Sequence, residues 1–152
     1  MRAISRSALL PYPAAALFDL VADVRAYPEY LSAVHAIDVL EESPQTVVAR
    51  VHAGGAGIEQ TFVTRNTLER PGRIGLELVE GPFSAFEGEW RFRPLVAQDV
   101  EGARVTLDLR FEFARGGRLF AGGLSRILER AADGLVAAFS ERAAQVLGSP
   151  PR

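Results

Sequence analysis

The side chains in this chain best suited to acid–base chemistry are its two histidines, His35 and His52. Neither stands at a spacing typical of a catalytic triad or a metal site. The chain contains no cysteine, so thiolate nucleophiles and iron–sulfur clusters are excluded, and it has no lysine to form a Schiff base. We predict no catalytic residue and no metal or covalent cofactor, and we interpret the protein as a binding protein rather than an enzyme.

The carboxylates are also poorly placed for catalysis. Acidic residues alternate with apolar ones in three segments, at Glu77, Glu87, Glu89, Asp108 and Glu112. In a strand this alternation directs them away from the apolar face and toward water. Paired catalytic carboxylates need burial or mutual contact to separate their pKa values, and this pattern predicts neither.

One predicted strand has polar groups on its apolar face. Gln60, Thr64 and Asn66 lie on the same face of this strand as Ile58, Phe62 and Leu68. Buried polar groups without partners are costly, whereas an apolar pocket with a few polar anchors accommodates them. Two alternatives stay open: the aromatic side chains form a solid core, or a β-bulge turns the polar groups outward.

The charge pattern is compatible with a local basic surface in one segment of the chain. All 17 basic residues are arginine, against 19 acids, for a net charge of −2, which does not indicate DNA binding. Residues 104–130 contain six arginines against three acids. These candidates for contacts to RNA phosphates are Arg104, Arg110, Arg115, Arg118, Arg126 and Arg130. The alternative is a solvated face, since Asp108, Glu112 and Glu129 lie among them.

Hydrophobic periodicity predicts the elements that would position these groups. Residues 2–10 predict a strand, and 13–22 and 23–30 predict two short helices. Alternation of period two then predicts six strands, at 33–42, 45–53, 57–69 and around 74–78, 86–93 and 104–113. Helical spacing returns after Gly116–Gly117 and continues to about Leu147. We predict an α+β fold with the order βααββββββα, as one domain over 1–148 with a short tail at 149–152.

The N-terminal apolar run is not a secretion signal by this interpretation. Pro11 and Pro13 interrupt it, and Asp19 follows where small residues would be needed for cleavage. No other apolar run approaches the length of a membrane span. We expect a soluble, cytoplasmic protein with at most peripheral contact to a membrane.

Four separated motifs resemble one known family. They are SRSALLPYPA at 5–14, DVRAYPEYL at 23–31, QTFVTRNTL at 60–68 and GPFSAFEGEWRF at 81–92. In this order they are similar to the START-like polyketide cyclase/dehydrase family of the SRPBCC superfamily. The resemblance is nearest to the coenzyme Q-binding and ribosome-association toxin (RatA) branch. It implies a helix-grip fold, in which a curved antiparallel sheet wraps around a long C-terminal helix.

The resemblance also implies a hydrophobic tunnel between the sheet and that helix. Carried over to this sequence, the wall is Phe62, Leu76, Leu78, Phe86, Trp90, Phe92, Leu107, Leu109 and Phe111. The lid is Tyr27, Tyr30, Leu31 and Phe83, the helix adds Leu124, Leu128 and Leu135, and Gln60, Thr64 or Asn66 orients a headgroup. Where relatives commonly have proline followed by cysteine or tryptophan, this chain has Ser32-Ala33-Val34, so we expect a different pocket mouth.

Three functions follow from the resemblance. The first is noncatalytic binding or transport of ubiquinone, another isoprenoid or a lipid. The second is binding of the large ribosomal subunit by the arginines, which would block subunit association. The third is a polyketide cyclase or aromatase, for which His35 or Asp38 would have to supply an inward-facing acid or base.

Overall fold

Seven antiparallel strands form one sheet in the computed structural model, which describes residues 2–55, 57–81, 83–97, 99–113 and 118–148. The strands are β1 (Arg2–Leu10), β2 (Val34–Glu42), β3 (Thr46–Gly55), β4 (Ile58–Glu69), β5 (Arg73–Glu80), β6 (Phe83–Ala97) and β7 (Val100–Phe113). Their order in the sheet is β1-β7-β6-β5-β4-β3-β2. Strands β2 to β7 are therefore a meander, and β1 closes its far edge beside β7.

Helices connect β1 to β2 and follow β7. Helix α1 (Ala14–Ala22) begins after Pro13, and a 3₁₀ turn (Val24–Ala26) leads into the short helix α2 (Tyr27–Tyr30). Pro28 lies in the first turn of α2, where a missing N–H costs nothing. The long helix α3 spans Arg118–Leu147. The predicted α+β fold and element order are thus confirmed.

Strand register places the apolar residues on the same face of the sheet as α3. Trp90 lies opposite Leu107, and Phe92 lies opposite Val105. These side chains join Leu17 and Phe18 of α1 and Phe139 of α3 in one buried cluster. The side chains that alternate with them lie on the outer face of the sheet.

Polar contacts tie the helices to the sheet around this cluster. The Tyr12 hydroxyl donates a hydrogen bond to the backbone oxygen of Gly148, at 3.1 Å, just after α3 ends. Arg6 of β1 contacts Asp133 of α3, with 2.6 Å between Nε and Oδ1. These contacts hold α3 against the β1 edge of the sheet.

The largest boundary difference lies in the β6–β7 hairpin. The sequence predicts strands around 86–93 and 104–113, but the ladder continues to Ala97 and starts again at Val100. Pro94, Leu95 and Val96 are all exposed and show no alternation, so periodicity could not detect this extension. Gly116–Gly117 and the tail at 149–152 lie outside the described residues.

Gly88 permits a close approach between β6 and β7. A Cβ atom there would lie 2.6 Å from Leu109 Cδ2 and 2.7 Å from the backbone oxygen of Asp108. The backbone oxygen has little freedom to move away. The gap between these strands therefore depends on the absence of a side chain at this position.

We predict that Gly88→Ala lowers the free energy of unfolding by about 1–3 kcal/mol, the usual cost of overpacking. Gly72→Ala is the matched control, because a Cβ atom at that position would have no heavy atom within 4 Å. Urea denaturation measures both variants. Equal stability of Gly88→Ala and wild type would contradict the close approach.

Candidate functional site

An apolar cavity of about 210 Å³ lies between the sheet and the helices. Many of the residues that the resemblance assigned to a pocket line it. They are Tyr27, Tyr30, Leu31, Phe62, Thr64, Leu76, Phe83, Phe86, Trp90, Leu107, Leu109 and Leu135, together with Asn66. The structure therefore brings residues from α2, α3 and strands β4 to β7 around one space.

Cross-strand register explains why these residues meet. Thr64 lies opposite Ala49 on one side and Leu78 on the other, and Asn66 lies opposite Leu76. Alternate residues of β4 thus face the same side as alternate residues of β3 and β5. The bulge between Val63 and Thr64 in the β4–β5 pairing does not turn Thr64 or Asn66 outward.

Two neighbouring side chains supply the polar part of the cavity wall. Thr64 is 7% exposed and Asn66 is 6% exposed. The Thr64 hydroxyl donates a hydrogen bond to Asn66 Oδ1, at 3.0 Å. This bond offsets the desolvation of both groups. This bond uses the amide oxygen of Asn66. Among the described residues, the amide nitrogen of Asn66 makes no hydrogen bond.

Two tyrosines from α2 line the cavity. Their rings meet edge to face, with centroids 6.1 Å apart, and the Tyr27 hydroxyl donates a hydrogen bond to the backbone oxygen of Val21. Burial raises the pKa of Tyr27 far above its ordinary value. Burial also raises the pKa of Tyr30 to about 12, although the Arg142 guanidinium, 5.2 Å from its ring centroid, opposes the shift. Both hydroxyls stay neutral, as an apolar cavity requires.

Some residues assigned to the wall do not line the cavity. Phe92 packs against Phe18, with ring centroids 5.6 Å apart, and is part of the solid core. Phe111 is 1% exposed in a second cluster with Ile4 and Phe83, and Leu78 packs against that cluster. Gln60 lies opposite Ala53 near the end of the β3–β4 hairpin and does not reach the cavity.

Two further assignments cannot be placed. Leu124 and Leu128 belong to α3, but their side chains lie outside the described residues. Leu135 is the predicted helix residue that the structure places in the wall.

Other wall residues were missed by the sequence analysis. They are Val21, Val24, Ala33, Val34, Ile37, Ala49, Val51, Ala53 and Phe139. A signal was present in β3, where Val47, Ala49, Val51 and Ala53 alternate with outward residues. In β2 the register shifts near Val34 and Val39 break the alternation, so no regular pattern marked its inward residues.

The histidines and their acidic partners lie on the exposed outer side of the sheet. His52 Nε2 is 2.9 Å from Asp38 Oδ2, and His35 Nδ1 is 3.1 Å from Glu59 Oε2. His35 and Asp38, the candidates for a cyclase, therefore do not reach the cavity. Among the described residues of the cavity wall, none carries a carboxylate or an imidazole.

The predicted RNA-contacting arginines do not share one surface. Arg104 and Arg110 project from the outer face of β7, and Arg110 Nε is 3.9 Å from Glu87 Oε1. Arg130 is exposed on α3, which packs on the opposite face of the sheet. Arg115 is outside the described residues, as are the side chains of Arg118 and Arg126.

The helices give no sign of a membrane span. Across the described residues, none of them is both long enough and apolar enough to cross a bilayer.

A comparison of the sequence with protein-family models identifies the family of this chain. Residues 10–140 match the model of the family described as "Polyketide cyclase / dehydrase and lipid transport". The chain belongs to this family. The matched segment contains α1, α2, β2 to β7 and most of α3, so it includes every described cavity residue.

Two relatives of high similarity carry the name ribosome association toxin RatA. The ribosome association toxin RatA of Pseudomonas aeruginosa is 43% identical over 145 residues, which cover 95% of this chain and 97% of the relative. RatA of Escherichia coli K12 is 38% identical over 146 residues, which cover 96% and 89% of the two chains.

Solved structures support the helix-grip architecture of the family. The solution structure of an 18 kDa protein from Caulobacter crescentus is 30% identical, with a TM-score of 0.76, and the match covers 98% of this chain and 100% of that one. The Zhui aromatase/cyclase from a Streptomyces species has a TM-score of 0.81 at 22% identity and covers 97% and 98% of the two chains. At that identity the second likeness concerns the fold alone.

We predict that Thr64 and Asn66 are energetically coupled. Thr64→Val and Asn66→Leu should each lower the free energy of unfolding by about 1–3 kcal/mol, because each leaves a buried partner unbonded. The double variant should lose less than the sum, by about 1 kcal/mol. Urea denaturation measures this cycle, with Thr64→Val combined with Thr106→Val as the additive control. Additive losses at Thr64 and Asn66 would contradict the coupling.

Proposed function

We propose that this protein is a cytoplasmic ribosome-association toxin, which binds the large ribosomal subunit and blocks its joining to the small subunit. The observation that carries the proposal is the 43% identity to RatA of Pseudomonas aeruginosa over 95% of this chain and 97% of the relative. The similarity extends over nearly all of both chains. It favours ribosome association over lipid carriage, which the sequence analysis placed first.

The charge of the protein restricts how it could bind a ribosome. With a net charge of −2, the whole molecule is not attracted to RNA by long-range electrostatics. Binding would depend on a local group of arginines, and the number of phosphates contacted would be small. Few phosphate contacts give a shallow dependence of affinity on salt.

We expect the purified protein to cosediment with isolated large ribosomal subunits and to reduce the reassociation of the two subunits on sucrose gradients. Binding should weaken as salt rises, because counterions are released from the contacted phosphates. Serum albumin, which is also acidic, serves as the negative control. No cosedimentation at low or moderate salt, with unchanged reassociation, would refute the proposed function.

The cavity supports a second function, the binding of a small apolar molecule. Its volume is about 210 Å³. An engineered apolar cavity of roughly 150 Å³ binds benzene, so this one has room for a guest of about two fused rings. A quinone head meets this limit, whereas a long isoprenoid tail exceeds it and would extend beyond the cavity. For ubiquinone and related isoprenoids, we therefore propose that only the head group binds in the cavity.

A polyketide cyclase is the third function and has less support. Its chemistry needs a group that accepts or donates a proton inside the cavity. The described wall offers tyrosine and threonine hydroxyls, an asparagine amide and an indole. Because burial holds both tyrosine pKa values above the ordinary range, these hydroxyls are weak acids near neutral pH.

We predict that Ala53→Phe fills part of the cavity and weakens binding of a two-ring probe such as 1-tetralone by at least about tenfold. Fluorescence of Trp90, the one tryptophan of the chain, reports the binding. Ala53→Ser is the matched control, since it adds little volume.

The same variant separates the two functions. Ribosome cosedimentation of Ala53→Phe should equal that of wild type if the outer surface performs this function. Equal 1-tetralone affinity of Ala53→Phe and Ala53→Ser would contradict ligand binding in the cavity.

A further inference from the structure

Four arginines form two facing pairs on the outer face of the sheet. Arg73 of β5 lies directly opposite Arg91 of β6. One row further toward the end of the β6–β7 hairpin, Arg93 of β6 lies directly opposite Arg104 of β7. Side chains in such positions have Cβ atoms about 4.5–5.5 Å apart, and like charges there destabilise the sheet.

Carboxylates compensate the first pair. Glu89 Oε2 is 2.5 Å from Arg73 Nε, while Glu89 Oε1 is 2.6 Å from Arg91 Nε. Glu69 adds a further contact to Arg73, at 2.5 Å. Hydrogen bonds from Arg91 and Arg73 lower the pKa of Glu89, which keeps it charged. The structure thus shows that one oxyanion with two oxygens can lie between two facing arginines.

The second pair has no such anion. Arg93 and Arg104 are both exposed, and neither makes a hydrogen bond or an ion pair within the described residues. The neighbour of Arg104 on its other side is Leu9 of β1, which is apolar. Two positive charges therefore face each other across adjacent strands with no compensating group in this part of the chain.

Two exposed apolar side chains lie beside the second pair on the same face of the sheet. Leu9 is 61% exposed opposite Arg104, and Leu95 is 40% exposed two residues after Arg93. We name Leu9, Arg93, Leu95 and Arg104 the hairpin patch. It offers two cationic groups with an apolar border.

We propose that the hairpin patch is an RNA-contacting surface, in which Arg93 and Arg104 bind one backbone phosphate between them. This inference rests on the proposed ribosome association. Arginine has a planar fork of donors that matches phosphate oxygens, and a phosphate would occupy the position that Glu89 takes in the first pair. The apolar border would contact ribose and base surfaces.

Charge favours RNA over an anionic membrane as the partner. Membrane-binding surfaces of this kind usually contain about four to eight basic residues. The hairpin patch has two arginines, and on the same face Asp108 lies opposite Glu89, two rows from Arg93 and Arg104. A flat anionic bilayer would meet these acids, whereas a single RNA strand can follow the arginines alone.

The test compares Arg93→Gln/Arg104→Gln with wild type in cosedimentation with large ribosomal subunits over a range of salt concentrations. We expect affinity to fall by at least about tenfold at low salt and the salt slope to fall by about one for each lost phosphate contact. Arg65→Gln, an exposed arginine on the same face opposite Glu77, is the matched control and should bind like wild type.

Thermal unfolding separates binding from folding. Because the substitution removes a like-charge contact, the midpoint should not fall. If wild type and the double variant cosediment equally, the hairpin patch is wrong and the proposed function stands. If wild type fails to cosediment, the proposed function fails.

A separate measurement tests the patch without ribosomes. Nuclear magnetic resonance titration with a short single-stranded RNA should shift the amide signals of Arg93, Arg104 and their neighbours in wild type but not in the double variant. Shifts elsewhere, or none, would overturn the inference. Stronger binding to phosphatidylserine vesicles than to RNA, lost in the double variant, would overturn the choice of RNA and indicate a membrane surface.

Discussion

The two-residue period of an antiparallel sheet is the constraint on which this structure depends. In β6 and β7 it sends Trp90, Phe92 and Leu107 to one face and Arg91, Arg93 and Arg104 to the other. The apolar face must be covered, and α1 and α3 cover it. The same alternation therefore creates both the apolar cavity and the charged exterior, and a one-residue slip in register would exchange them.

The covering is complete at one end and incomplete at the other. Around Phe18 and Phe92 large rings contact one another and fill the interior. Toward β2 and β3 the inward positions include small residues, such as Ala33, Ala49 and Ala53, and the cavity extends to them. Small side chains at these positions leave space that large rings fill elsewhere in the interior. The buried Thr64–Asn66 bond supplies a polar contact in that space without a charge.

The sequence predicted the architecture well because the fold follows from long, regular patterns. The alternation from Val105 to Phe113 and the helical spacing up to Leu147 identify β7 and α3 directly. The cavity was harder to predict from the sequence. Whether an inward residue lines a space or belongs to solid core depends on what lies opposite it, and this separated Phe92 and Phe111 from Phe62 and Phe86. The bulged strand β2 carried no regular pattern, so its contribution through Val34 and Ile37 required the three-dimensional register.

The basic surface on the outer face of the sheet was also difficult to predict from the sequence. Counting charge along 104–130 joined Arg104 to Arg130, which the fold places on opposite sides of the sheet. It also omitted Arg93, which is eleven residues from Arg104 in the chain but directly opposite it across the ladder. Cross-strand neighbours are set by the hairpin, so a basic surface on a sheet is visible only once register is known. In a chain with a net charge of −2, such local pairing determines where an anion can bind, because the average charge provides no attraction.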